Sequence, residues 1–233
     1  ALEIDQNNEE LWFEKGELHR KLKQWEEAEA CYLNSTEIRY THGEAWLKLA
    51  QMKERREKLS EAEDAYVIAL ELESNHAFAY LGLGRVQSKL ERVKEALKSI
   101  EKSIALFNED YRPYMVRGDI YYSIGDYERA DAKGYSKAVN IRPDLKNGWR
   151  KLAKVYRSQD KTELLIMALS RILEIDSEDQ AALWERAECH FEEKKLGDSM
   201  GDIHRLLALN PGNQKARKFK AKILEKLDAR EWD

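Results

Sequence analysis

The chain has 233 residues, of which 36% are charged and 42% hydrophobic, with three prolines and eleven glycines, a mix that suits long amphipathic helices joined by short turns. A formal charge of −4 gives no global attraction to nucleic acid or acidic lipid, no stretch approaches the roughly 20 apolar residues of a membrane-spanning helix, and no secretory signal is visible. Cys31 and Cys189 lie far apart, which argues against a secreted disulfide framework and leads us to expect a reducing, cytoplasmic location.

One period organises the chain. Trp12 and Trp46 are 34 residues apart, Tyr80 and Tyr114 follow at the same interval, Trp149 comes one residue late, and Leu183 resumes the step. Gly16, Ala50, Gly84, Gly118, Ala153 and Ala187 form a parallel column of small residues. A third column runs Ala28, Ala62, Ala96, Ala130, Leu165, Ser199, and a fourth Tyr32, Tyr66, Ile100, Tyr135, Leu169, Ile203. Such shared spacing marks a structural repeat.

In chain order, residues 1–8 read as the end of a truncated preceding repeat, and the chain is expected to be a fragment. Repeat units follow at 9–42, 43–76, 77–110, 111–145, 146–179 and 180–213. In the first, Trp12, Gly16 and His19 recur about once per helical turn, as do Ala28, Tyr32 and Ser35 after the polar turn Lys23-Gln24. Each unit is thus predicted to be an antiparallel helix pair. One pair cannot bury its apolar stripe alone, so neighbours must stack. The fourth unit carries an extra residue between Ala130 and Tyr135, which predicts a π-bulge or kink near Gly134. In the fifth and sixth units Leu165, Ile172 and Leu206 replace small residues, and a change of curvature is expected after residue 145. Residues 214–233 read as a C-terminal capping helix, with Ala221 and Leu224 on repeat columns and Arg217 at the anchor position.

The runs Trp46-Leu47-Lys48-Leu49-Ala50 and Tyr80-Leu81-Gly82-Leu83-Gly84 carry the first half of a recognisable signature. Tyr127-Glu128-Arg129-Ala130, Tyr135-Ser136-Lys137-Ala138 and Pro143 carry the second, and Asn210-Pro211-Gly212-Asn213 suits an inter-repeat turn. Over nearly its whole length the chain resembles the tetratricopeptide repeat (TPR) family. The resemblance implies an all-α, right-handed TPR superhelix, an α-solenoid of stacked antiparallel hairpins. It also implies an interaction module or assembly scaffold that binds a protein or peptide in its concave groove and has no enzymatic activity. A sensor or autoregulatory TPR domain of a larger protein is the alternative. An RNA-binding helical repeat is a third reading, opposed by the acidic sixth unit and the negative total charge.

No phosphate loop, nucleophile elbow or zinc-protease signature is present. His19 and His190 fall on a packing column, and Cys189, His190 and His204 match no zinc spacing. No cofactor, metal or catalytic residue is expected.

By the resemblance, the first helix of each pair lines the groove, and the fifth and ninth places of each unit face it. These are Phe13 and Glu17, Leu47 and Gln51, Leu81 and Arg85, Met115 and Asp119, Arg150 and Lys154, Trp184 and Glu188. The family's clamp for carboxy-terminal chaperone peptides needs Asn at the ninth place. None stands there, so a co-chaperone of that type is disfavoured. Lys146, Arg150, Lys151, Lys154 and Arg157 share one helix without an acidic residue, and Arg150, Lys154 and Arg157 fall on one face. They make either cross-helix ion pairs or a site for an acidic segment. Trp184 and Phe191 lie one place beyond the anchor columns and are expected to lean into the groove, or else to pack on the seventh first helix. The candidate partner-binding residues are Arg85, Asp119, Tyr122, Arg150, Lys154, Arg157, Trp184, Glu188 and Phe191.

Overall fold

The computed structural model describes residues 6–228, and all regular structure among them is helical. The expectations for the preceding repeat and the cap extend to residues 1–5 and 229–233, which lie outside the described residues. The chain divides into two compact units, Ala1–Ile120 and Tyr121–Asp233.

The first unit holds α1 (Glu9–Lys21), α2 (Trp25–Ile38), α3 (Gly43–Arg55), α4 (Leu59–Leu72), α5 (Ala77–Lys89) and α6 (Val93–Leu106), and α7 (Tyr111–Ser123) begins in it. Helices pair α1 with α2, α3 with α4, and α5 with α6, while α2 packs on α3 and α4 on α5. The small column permits this approach. A Cβ on Gly16 would stand 2.7 Å from Cε1 of Tyr32, and one on Gly84 would stand 2.6 Å from Cδ1 of Ile100. Tyr32 and Ile100 are fully buried against these gaps.

The second unit holds α8 (Tyr127–Arg129), a π-helical segment (Ala130–Tyr135), α9 (Ser136–Ile141), α10 (Lys146–Ser158), α11 (Thr162–Ile175), α12 (Gln180–Glu192), α13 (Leu196–Leu209) and α14 (Gln214–Asp228). The extra residue of the fourth repeat is absorbed within the helix. Ser136 N–H reaches back to the Asp131 carbonyl, a wider ring than an α-helix makes, and the helix resumes in register. Here α10 packs on α11, α11 on α12, α12 on α13, and α13 on α14.

Two further repeating devices appear. The turn inside each pair places one residue in the left-handed region: Lys23 (60°), Glu57 (58°), Glu91 (61°), Gly125 (76°), Asp160 (53°) and Lys194 (60°). The next residue donates its N–H back into the preceding helix, as Gln24 does to the His19 carbonyl at 2.9 Å and Lys195 to the His190 carbonyl at 2.8 Å. This is the Schellman closure, which satisfies carbonyls left over at a helix end. The anchor aromatics also tie down the chain entering each pair. The indole Nε1 of Trp12 donates to the Gln6 carbonyl at 2.9 Å, that of Trp46 to Tyr40 at 2.7 Å and that of Trp149 to Pro143 at 2.8 Å. An anchor that half-buries its ring and satisfies a turn carbonyl explains why Trp suits this column.

Candidate partner-binding faces

In the second unit, the basic face of α10 is engaged by carboxylates at and beyond the next turn. Lys146 pairs with Asp176 at 2.7 Å and Asp179 at 3.4 Å, Arg150 pairs with Asp179, and Arg157 pairs with Glu185. Asp179 also caps α12 by accepting the Ala182 N–H at 3.0 Å. Of the two readings of this basic face, cross-helix ion pairs or a site for an acidic segment, ion pairs engage Lys146, Arg150 and Arg157, while Lys154 stays exposed. Asp176 and Asp179 lie in the turn before α12 and not on a first-helix face, so the groove positions do not include them, although an Asp just before Gln180 is a readable N-cap signal.

Of the two readings of Trp184 and Phe191, leaning into the groove or packing on the seventh first helix, the packing contact is present. Trp184 and Phe191 both pack on Phe219 of α14, with ring centroids 5.2 and 5.1 Å apart. Lys215 covers the Trp184 ring, and Lys222 and Lys226 lie over Phe191. Phe191 is buried and Trp184 half-buried. They meet the next helix because α14 supplies an aromatic, Phe219, two residues before its own small residue, Ala221. Tyr122 is half-buried, 5.3 Å from the Tyr127 ring centroid.

A cleft of about 390 Å³ opens between α10 and α12, lined by Tyr156, Arg157, Glu185, Glu188, Cys189 and Glu192 among others. Burial pushes the Glu185 carboxyl above its usual range, against the pull of Arg157 and Arg150. Burial, then Glu192, raises the Cys189 thiol to about 11, so this cysteine is a poor nucleophile. Burial, then the Asp131 charge, raises Tyr156 to about 12.

In the first unit, Asp119 is exposed on α7. Arg85 makes a two-pronged contact with Glu54, from Nε at 2.9 Å and Nη2 at 2.7 Å. Glu54 also accepts the buried Tyr66 hydroxyl at 2.9 Å. One repeat earlier, Glu17 accepts from Tyr32 at 2.6 Å and pairs with Arg20. Burial works to raise the Glu17 carboxyl, but these donors outweigh it and leave it lowered. Two clefts open on α3 and α5, and Gln51 and Arg85 line both. Among the described residues no group of three or more His, Cys, Asp or Glu side chains could hold a metal ion.

Family models for the tetratricopeptide repeat match residues 9–42 and 47–111, within a set of helices that repeats the same turn and anchor contacts. The chain is a tetratricopeptide repeat protein. No curated protein matches its sequence. Among solved structures it resembles a chain of the APC/C hetero-tetramer Cut9–Hcn1 (TM-score 0.66, 20% identity), covering 96% of this chain and 44% of that one. This TPR chain therefore spans less than half of that protein. It also resembles the C-terminal part of a TPR repeat-containing protein from Cytophaga hutchinsonii (TM-score 0.76, 18% identity; 93% and 90% covered). YrrB, described as a TPR protein with an unusual peptide-binding site, is a further likeness (TM-score 0.63, 17% identity; 82% and 97% covered). At these identities the likeness shows the fold, a TPR solenoid. No described helix is long and apolar enough to cross a membrane.

Proposed function

We propose that this TPR protein is a non-catalytic scaffold that holds a protein or peptide segment against the first-helix faces of its repeats. One observation carries the reading: in each unit clefts open on side chains from successive first helices, Gln51 and Arg85 in one and Arg157, Glu185 and Glu188 in the other. Such a surface offers mixed charge and apolar floor. In the second unit we place the contact around Tyr122, Arg150, Lys154, Arg157, Trp184 and Glu188. An acidic segment fits there by using Lys154 and by displacing Asp179 or Glu185 from Arg150 or Arg157. A reducing intracellular compartment belongs to the same proposal, since Cys31 and Cys189 are both buried free thiols. Affinity capture with the whole chain, identification of the retained proteins and measurement of their affinity tests this. Arg150→Glu and Lys154→Glu, each still folded, are expected to weaken the captured partner, more so at low salt because exposed charges are screened over about 8 Å at physiological ionic strength. Unchanged affinity in both removes the α10 face from the proposal.

A further inference from the structure

The first unit contains a cleft whose charge differs from the one on α12. It is formed by Glu44, Leu47, Lys48 and Gln51 of α3, Phe78, Leu81 and Arg85 of α5, and Arg112 of α7, with Tyr66 and His76 behind them. Leu47 and Leu81 are buried and make an apolar floor, while Phe78 is 42% exposed beside them. Three cations and a single carboxylate complete the lining.

These cations are held differently from those of α10. Arg85 is positioned by Glu54, and Arg112 by Asp110, and both carboxylates are buried. The arginine side chains themselves are 42% and 49% exposed. Arg85 uses Nε and Nη2 on Glu54, and Arg112 uses Nε and Nη2 on Asp110. In each, Nη1 carries no such bond. The Arg112 guanidinium also lies over the Phe78 ring, 4.8 Å from its centroid. Lys48 approaches Glu17 and Glu44 only at 3.8 and 3.7 Å, beyond hydrogen-bond length. A buried carboxylate behind each guanidinium fixes its direction and leaves outward N–H groups for a ligand without a fresh ordering cost.

We infer that this cleft binds an acidic peptide segment, seating one apolar side chain on Leu47, Leu81 and Phe78 and its carboxylates on Lys48, Arg85 and Arg112. The inference rests on the scaffold reading and gives it a second site, in the first unit. Charge complementarity selects the occupant, because a basic segment would meet three cations and only Glu44.

The test uses the whole chain and a fluorescein-labelled peptide that alternates glutamate and leucine, read by anisotropy. Matched lysine–leucine and glutamate–serine peptides serve as comparators. The glutamate–leucine peptide is expected to bind tightest, and to weaken as salt rises. Lys48→Glu and Phe78→Ser, at part-exposed positions that keep both buried carboxylates paired, are expected to weaken it about tenfold or more, while Lys94→Glu, at an exposed position of α6 outside the cleft, leaves it unchanged. Equal or tighter binding of the lysine–leucine peptide, no binding of any peptide, or indifference to both Lys48→Glu and Phe78→Ser would each overturn the inference. A captured protein that is sensitive to Lys154→Glu but not to Lys48→Glu would leave the scaffold reading standing and remove this cleft from it.

Discussion

The indole nitrogen of Trp46 donates to the carbonyl oxygen of Tyr40 at 2.7 Å, and the Tyr40 ring meets the Trp46 ring edge-on with centroids 5.4 Å apart. One side chain thus closes the turn before its helix and packs on α2 and α4. Replacing Trp46 with Phe keeps most of the half-buried ring packing and deletes the donor. The expected loss is about 0.5–1.5 kcal/mol, the usual net value of one hydrogen bond. Trp46→Ala also opens a cavity and should cost more than Trp46→Phe. Urea midpoints of the two variants and the parent check the order.

The left-handed turn column is occupied by Gly at one of its six positions, Gly125, and by Lys, Glu or Asp at the other five. A residue with a Cβ is strained there, whereas glycine is not. Glu91→Gly is therefore expected to raise stability by roughly 1 kcal/mol, and Gly125→Ala to lower it by a similar amount. Thermal melts of both variants test the sign; a lower melting temperature for Glu91→Gly would refute it.

Glycines in these helices divide by what a methyl group would meet. At Gly82 it would fall 2.3 Å from Cζ of Tyr66, a fully buried ring pinned by its bond to Glu54. At Gly201 it would meet nothing within 4 Å. Gly82→Ala is expected to destabilise by about 1–3 kcal/mol through overpacking. Gly201→Ala is expected to stabilise by about 0.5–1 kcal/mol, the helix-interior difference between the two residues. Both are read from equilibrium unfolding.

What the sequence carried and what it left out separate along physical lines. The spacing of Trp12, Gly16 and Tyr32 encodes a packing contact that recurs, so period alone exposes it. The extra residue between Ala130 and Tyr135 was legible for the same reason, since an insertion inside a fixed period must be absorbed somewhere. The turn column was not legible, because Lys23, Glu57, Gly125 and Asp160 share a backbone angle and no side-chain chemistry. The site was harder still. Arg150 and Arg157 share a basic face, but their partners Asp179 and Glu185 each lie about 29 residues further along in the next repeat, so the sequence alone leaves ion pairing and a free binding face both open. Phe219 likewise claims Trp184 and Phe191 from the next helix along.

That last contact has a measurable consequence. Phe219→Ala removes the ring shared by Trp184 and Phe191, which should loosen α14 from α12 while leaving the first unit intact. Amide exchange is expected to quicken in α14 and at the end of α13, and not in α3 to α6. Uniform quickening through both units would show that Phe219 contributes to a larger cooperative block.

His190 supplies a pH dependence. Its Nδ1 is buried and finds no hydrogen-bond partner among the described residues. Burial first, then the charges of Arg186 and Lys195, hold the imidazole below its ordinary value of 6.5, against Asp198 and Asp202, which favour the cation. The unfolded chain therefore binds this proton more readily than the folded one. Stability contributed by the neutral ring is present above about pH 6.5 and is lost as pH falls through that value toward the lowered folded pKa. His190→Phe keeps an aromatic at the position and has no proton to bind. The difference in unfolding free energy between parent and variant, followed from pH 8 downward, should stay level above about pH 6.5 and then move in the variant's favour. Glu185, whose carboxyl is raised by burial, works in the opposite sense at lower pH, since its folded form holds the proton more tightly. Pairing each protein with its Glu185→Gln version removes that contribution. A parent and His190→Phe difference that does not change with pH would mean the imidazole titrates alike in both states.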